Sequence, residues 1–280
     1  DARGNLYGKI ELKGSLKEPD IDGKIQFNNT AFNVSMLNNV FKIDKEAVAI
    51  INNKGIEFDT FTIRDTSNNA IVIDGAVNTP DFLNYTFDLK INARNFQATN
   101  SSNRDNKLFY GKMVFSSRLT VKGTPAHPIV DGDLTINDKT DFTIVLPSED
   151  PGVEKREGIV RFVDRSATEE DSLFMMAPYD SLNTAPLAGY DVTVNIKVDK
   201  EAIFNMIVDP ANGDFLKLQG NAELTGGIDA SGKVTLVGSY EIEEGTYNLS
   251  FNFLKRKFNI QKGSRIVWTG SPTTARINVT

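Results

Sequence analysis

Cysteine is absent from this chain of 280 residues, and histidine and tryptophan occur once each. Without cysteine there is no disulfide framework, no thiolate nucleophile and no thiolate zinc site. The single histidine, His127, excludes paired-histidine metal motifs, and it sits in a Pro-Ala-His-Pro turn, where a structural role is the default. No nucleophile elbow, phosphate loop or dinucleotide fingerprint occurs. Asp209 to Asp214 has the look of a calcium loop, but the alternating ligand spacing is missing and Gly220 stands where the bidentate glutamate would fall. No apolar run approaches the ~20 residues of a membrane-spanning helix. Basic residues number 31 against 37 acidic ones, a net charge of −6, and they are spread thinly. That leaves no electrostatic footprint for nucleic acid. The expectation is a protein without catalytic residues, cofactor or metal.

What the chain does have is alternation. Val234, Leu236, Tyr240 and Ile242, then Tyr247, Leu249, Phe251 and Phe253, fall at every second position with polar residues between them. Period two places them on one face of a strand. A phrase of strand, glycine, turn, glycine, strand recurs at Gly8 to Phe27, Lys112 to Ile136 and Leu216 to Gly238, twice with proline in the turn. Further alternating runs carry Ile71 and Ile73; Phe87, Leu89 and Ile91; Val192 to Val198; and Phe204, Met206 and Val208. Turn residues punctuate them at Asn53 to Gly55, Ser67 to Asn69, Pro80-Asp81 and Asn212-Gly213. No segment shows helical spacing beyond about two turns. The reading is all-β, with a short turn at Phe82 to Tyr85.

Two stretches break the pattern: Pro147 to Glu157, acidic and proline-bearing, and Asp164 to Pro186, both flanking a short strand at Gly158 to Val163. The organisation expected is a repeat-built part over 1–147, mobile loops over 148–187 around the strand at 158–163, and a final part over 188–280. A sheet with one greasy face buries it against another layer, and here no helices are available. From alternation alone the favoured solution is a β-sandwich or closed barrel, whose inner faces fill each other.

The order of residues near the end is specific. Gly238 and Tyr240, then Gly245, Tyr247 and Leu249, precede a strand bearing Lys257, Phe258 and Ile260; Gly263, Ser264, Ile266 and Trp268 follow, then Gly270, Pro272 and Ala275. This spacing resembles the TamB C-terminal domain family, of the AsmA-like envelope proteins. Phe142 to Pro147, followed by an acidic loop and Gly158 to Val163, resembles it too. The likeness is strong over roughly Leu134 to Val163 and Tyr190 to Val279, and over Asp1 to Gly111 it is a shared style of repeat. Trp268 reads as a packed strand tryptophan.

The resemblance implies an elongated, antiparallel or mixed sheet curled lengthwise into an open U-shaped apolar trough, the β-taco. It implies a periplasmic protein of a Gram-negative bacterium, anchored in the inner membrane by an N-terminal segment outside this sequence. Phospholipid acyl chains would occupy the trough, and a BamA/TamA-type outer-membrane barrel would be a partner, contacted beyond Thr280. One implied function is a bridge carrying phospholipid between membranes. The other is an assembly factor for outer-membrane protein insertion or secretion. The face expected to line the trough is Ile10, Leu12, Ile25, Phe27, Phe115, Leu119, Val121, Leu134, Ile136, Val194, Ile196, Val198, Met206, Leu218, Leu224, Val234, Leu236, Tyr240, Leu249 and Phe251. At ~12 residues per strand and turn, roughly 20 strands would stack over on the order of 100 Å. Asp171-Ser172-Leu173 and Asp180-Ser181-Leu182 resemble the O-glycosylation signal of Bacteroidota.

Overall fold

The computed structural model describes residues 1–15, 19–79, 81, 83–145, 188–210, 212–251 and 254–278. The strand expected at Gly158 to Val163, the two glycosylation signals and both pattern-breaking stretches lie outside them. The described residues form a 17-stranded sheet and one short 3-10 turn at Ser35–Leu37, with no α-helix.

The strands are β1 (Ala2–Gly14), β2 (Pro19–Val34), β3 (Asn39–Ile43), β4 (Val48–Asn52), β5 (Gly55–Arg64), β6 (Ala70–Asn78), β7 (Thr86–Ser101), β8 (Phe109–Gly123) and β9 (Pro128–Ile136). They continue with β10 (Asp141–Val145), β11 (Asp191–Val198), β12 (Ile203–Asp209), β13 (Asp214–Ile228), β14 (Val234–Phe251), β15 (Leu254–Ile260), β16 (Arg265–Gly270) and β17 (Arg276–Asn278). Four pairs of strands are halves of one lane. β3 and β4 both flank β2. β9 and β10 both pair with β8, β11 and β12 with β13, and β15 and β16 with β14. The lanes run β1, β2, β3/β4, β5, β6, β7, β8, β9/β10, β11/β12, β13, β14, β15/β16, β17. Thirteen lanes at ~4.8 Å apiece span about 60 Å, not about 100 Å. The alternating pattern undercounts strand length: β14 alone has 18 residues. A scattering profile should still show a radius of gyration above the ~19 Å of a compact chain of this length. A profile fitting a sphere of that radius would contradict the lane order.

Every ladder is antiparallel except those joining the split lanes β9/β10 and β11/β12. There Ile129 faces Asp191 and Val145 faces Ile207, with the same offset throughout. Parallel neighbours require a crossover that returns the chain to its starting end. Most of the connecting segment, residues 146–187, lies outside the described residues. The ladders also close a circuit of six strands, β8–β9–β11–β13–β12–β10. It encloses the two turns that split the middle lanes.

These splitting turns share one design. Asp44 to Ala47, Asn137 to Thr140, Asp199 to Ala202 and Gln261 to Ser264 each place a backbone N–H of the fourth residue on the carbonyl of the first, at 2.9–3.2 Å. The fourth residue is small and essentially buried in all four: Ala47, Thr140, Ala202 and Ser264. The continuous lanes are kinked beside them. Asn29, Thr60 and Asn95 adopt left-handed φ of 51°, 50° and 51°, and ladder registers shift at Asp59/Thr60, at Arg94/Asn95 and at Glu243. Bulges bend strands and increase twist, so a line of bends crosses the sheet. It is tied lane to lane: Asn95 N–H donates to Ser116 Oγ at 3.0 Å, Asp199 N–H to the Ile136 carbonyl at 2.9 Å, and Ile242 N–H to the Ser264 carbonyl at 2.8 Å.

Candidate functional site

The ladder registers place the apolar residues in rows running across the lanes. One row is Ile63, Ile71, Ala93, Ser117, Leu134, Ile196, Leu224, Gly238 and Trp268. The next, beside the bend line, is Phe96, Phe115, Ile136, Val198, Ala222, Tyr240 and Ile266. On the far side of the bends Phe142, Phe204, Leu218, Gly245 and Ile260 continue it. By register, all twenty residues singled out in the sequence share this one face. That includes Tyr240 and Leu249, whose positions differ in parity; the bulge at Glu243 restores them to the same side. The side chain of Phe251 lies outside the described residues. Sequence reasoning did not name Phe61, Ile91, Phe142, Phe204, Leu216, Tyr247 and Ile260 for this face, although their alternation with polar neighbours carried the signal.

Exposure follows distance from the bends. Ile136, Val198, Ala222, Tyr240 and Ile242 are buried in a cluster with Ala202 and Leu218 from the other side of the line. Moving outward along one arm, Leu134, Ile196 and Leu224, then Val194 and Leu236, are half-buried, and Val234 is exposed. On the other arm Phe142 is 7% exposed and the next inward-facing residue, Ile144, 38%. On β15 the half-buried Ile260 precedes Phe258 at 49%. At the β1 end Ile10 and Leu12 are 57% and 69% exposed on the same face. The bend is packed, and exposure rises along both arms.

Phenylalanines fill the concave side of the bend among the earlier lanes. Phe27 meets Phe61 edge-on at 5.2 Å, Phe41 stacks on Phe96 at 5.4 Å, and Phe96 meets Phe115 at 5.9 Å. In the later lanes Phe204 and Tyr240, two lanes apart, meet edge-on at 6.4 Å. Trp268 packs against the same cluster, and its indole N–H donates to the Pro272 carbonyl at 3.1 Å. Glycines thin the later wall: Leu236 lies between Gly226 and Gly270, and Val194 between Gly132 and Gly226.

Tyr240 is 6% exposed, and its hydroxyl has no hydrogen-bond partner among the described residues. Burial pushes its pKa well above the ordinary tyrosine value. Leaving a buried hydroxyl unpaired costs about 1–3 kcal/mol, so Tyr240→Phe should be neutral or stabilise by up to about 1 kcal/mol in urea denaturation. The folded state resists ionisation that the unfolded state undergoes near pH 10. Stability from this site is therefore complete below that pH and is lost as pH rises above it. Tyr240→Phe should flatten that decline. A variant less stable by more than 1 kcal/mol would mean that the hydroxyl has a partner.

The outer face is polar. Arg118 with Asp133, Lys197 with Glu223 and Arg265 with Glu241 form exposed pairs at 3.4–3.5 Å. A concavity of about 720 Å³ lies on this side, lined by Arg64, Arg94, Arg118, Asn92 and Asp133 among others. His127 sits in its exposed turn, with Nδ1 3.3 Å from the Gly189 carbonyl. Asp209 to Asp214 is a turn closed by Gly213 N–H on the Asp209 carbonyl at 2.8 Å. No group of three His, Cys, Asp or Glu poised for a metal occurs among the described residues.

The family profile of the TamB C-terminal domain matches residues 59–280. The chain belongs to that family. TamB-family proteins are bacterial envelope proteins with a role in outer-membrane assembly, and they associate with TamA-type barrels. No curated protein and no solved structure matches the chain. The family match begins at Asp59 and so reaches back through β6, β7 and β8, further than the motif likeness alone.

Proposed function

We propose that this chain is part of a periplasm-spanning bridge whose curled sheet forms an open apolar trough, the β-taco, along which phospholipid moves between inner and outer membrane. The observation that carries the reading is the exposure gradient. In a sandwich or filled barrel the middle of each strand is the driest part, because two inner faces fill each other. Here the driest line lies at the bends, and exposure rises along both arms. Large apolar surface left half-exposed normally marks binding. A dozen acyl methylenes buried there supply on the order of 10 kcal/mol, at ~0.8 kcal/mol apiece. Inner-membrane anchoring through a preceding segment completes this reading.

The test is lipid content. The chain, expressed in a Gram-negative periplasm and purified in mild detergent, should carry phospholipid detectable by mass spectrometry. A lipid-free preparation that also fails to take up acyl-labelled phospholipid would remove the conduit. The second reading, an assembly factor partnering a BamA/TamA-type barrel, draws on the sheet edge. Among the described residues β15 pairs only with β14, and three-residue β17 only with β16. Unpaired edges accept strands from partners. Capture of a TamA-type barrel by a chain extended beyond Thr280, without lipid uptake, would favour that reading.

A further inference from the structure

Among the ladder positions of the apolar face from β5 onward, one cation interrupts the apolar series: Arg256. Its register fixes the face. Tyr247 pairs with Phe258, Leu249 with Arg256 and Phe251 with Leu254, so Arg256 stands in line with Ile260 and Phe258, while Lys255 and Lys257 belong to the opposite face. Arg256 is exposed and makes no ion pair or hydrogen bond with a described residue. The nearby acid is already committed: Asp214 accepts from Tyr247 Oη at 3.1 Å and from Ser250 N–H at 2.7 Å. The Tyr247 phenol is raised in pKa by desolvation and by that hydrogen bond. Arg256 lies five residues out from the turn at Gln261, about 16 Å from the bend at ~3.3 Å per residue. At that height the wall is already half in solvent, as Phe258 shows.

A guanidinium on an apolar wall stays charged, because its pKa is too high for neutralisation. At the height where the wall meets water it can pair with an anion that reaches it from the apolar side. We propose that Arg256 binds the phosphate of a phospholipid whose acyl chains lie along the apolar face, so that the site selects phosphate-bearing lipids over neutral ones. The inference rests on the conduit reading. Its chemistry is specific to that position: the planar guanidinium offers paired N–H donors that match two phosphate oxygens, a geometry that lysine lacks. Lys255 and Lys257, on the outer face, can attract an anionic surface but cannot reach a head group whose tails lie within.

The experiment uses the whole chain and two probes with the same labelled acyl chains, phosphatidylglycerol and diacylglycerol. Both should bind the wild type, phosphatidylglycerol more tightly. Arg256→Gln should weaken phosphatidylglycerol about tenfold and leave diacylglycerol unchanged, and Arg256→Lys should recover part of the loss. Lys255→Gln with Lys257→Gln should change neither probe more than twofold at 0.15 M salt. Inorganic phosphate at 10 mM should not displace phosphatidylglycerol. Loss of both probes in Arg256→Gln would show a structural role and overturn the proposal. Unchanged phosphatidylglycerol binding would overturn it while leaving the conduit intact. Displacement by inorganic phosphate would make this a free-anion site, which also overturns it. A wild type that binds neither probe would end the conduit reading and this inference with it.

Discussion

Leu236→Asp and Ile196→Asp proteins should fold and, on the proposed conduit reading, should lose bound phospholipid at least about tenfold. Both residues sit on the apolar face in the later lanes, Ile196 between Leu134 and Leu224 and Leu236 between Gly226 and Gly270. Both are half-buried, not sealed. A carboxylate at such a position keeps part of its hydration, so its cost stays well under the several kcal/mol of a fully buried charge. A domain held together by ~5–15 kcal/mol tolerates that. An acyl chain sliding past the same carboxylate must instead strip its water. Folding is read by far-ultraviolet circular dichroism and thermal melting, and transport by lipid content and by rescue of an envelope defect. Unfolding of both variants would point to a sealed interior. A folded variant with wild-type lipid content and full rescue would remove the conduit.

Much of this face was legible from the chain. Alternation in Val192 to Val198, in Leu119 and Val121, and in Val234 to Tyr240 fixes which side chains share a side, because a one-residue slip reverses all of them. The first 110 residues were ambiguous in sequence, and there the ladders decide. Ile71, Ile73, Leu89 and Ile91 join the face through their pairing with Ile63, Phe61, Val121 and Leu119.

Three features were not legible, for physical reasons. Strand direction leaves no mark on alternation, so the parallel join of β9/β10 to β11/β12 showed only as an unexplained long connection. Strand length was underestimated because the bends read as strand ends. They did leave a signal. Asp44-Lys45-Glu46-Ala47 and Asp199-Lys200-Glu201-Ala202 are the same tetrapeptide, each following a β-branched residue that ends an apolar strand. A charged turn inside a lane looks like a hairpin loop until its small fourth residue proves to be buried. The third is the drop-out of β5 and β6 at the bend of β7. β5 ends at Arg64 and β6 begins at Ala70, while β7 runs on to Ser101. No local pattern announces that a neighbouring lane is missing.

That gap makes Asp65→Ala the substitution expected to cost the most stability, about 2–4 kcal/mol. Where the two lanes stop, the backbone of Gln97 on β7 has β8 on one side and no laddered strand on the other among the described residues, yet Gln97 is buried. Two side chains take the place of the absent strand. Asp65 Oδ2 accepts from Gln97 N–H at 2.7 Å, and Asn39 Nδ2 donates to the Gln97 carbonyl at 2.6 Å. Asp65 and Asn39 are themselves 2% and 3% exposed. Asp65 also accepts from the N–H groups of Ser67 and Asn69, both at 2.8 Å, closing the turn between β5 and β6. Removing the carboxylate leaves the Gln97 donor dry and unpaired, worth about 1–3 kcal/mol, and loosens the turn, whose exposed part water can partly satisfy. Asp65→Asn keeps an acceptor for the turn but can set an amide donor against the Gln97 N–H, so about half the loss is expected. Asn39→Ala strands the carbonyl of the same residue, and its effect should not add to that of Asp65→Ala, because both act through Gln97. Asp133→Asn, at the exposed pair with Arg118, is the control, with an effect under about 0.5 kcal/mol. Urea denaturation gives the energies, and hydrogen exchange gives the place. In Asp65→Ala the Gln97 amide should exchange much faster, while amides in β13 and β14 keep their protection. Stability within 0.5 kcal/mol of wild type and a still-protected Gln97 would mean that this part of β7 is held by the packing of Phe41 on Phe96 alone, and not by the two side chains that stand in for a strand.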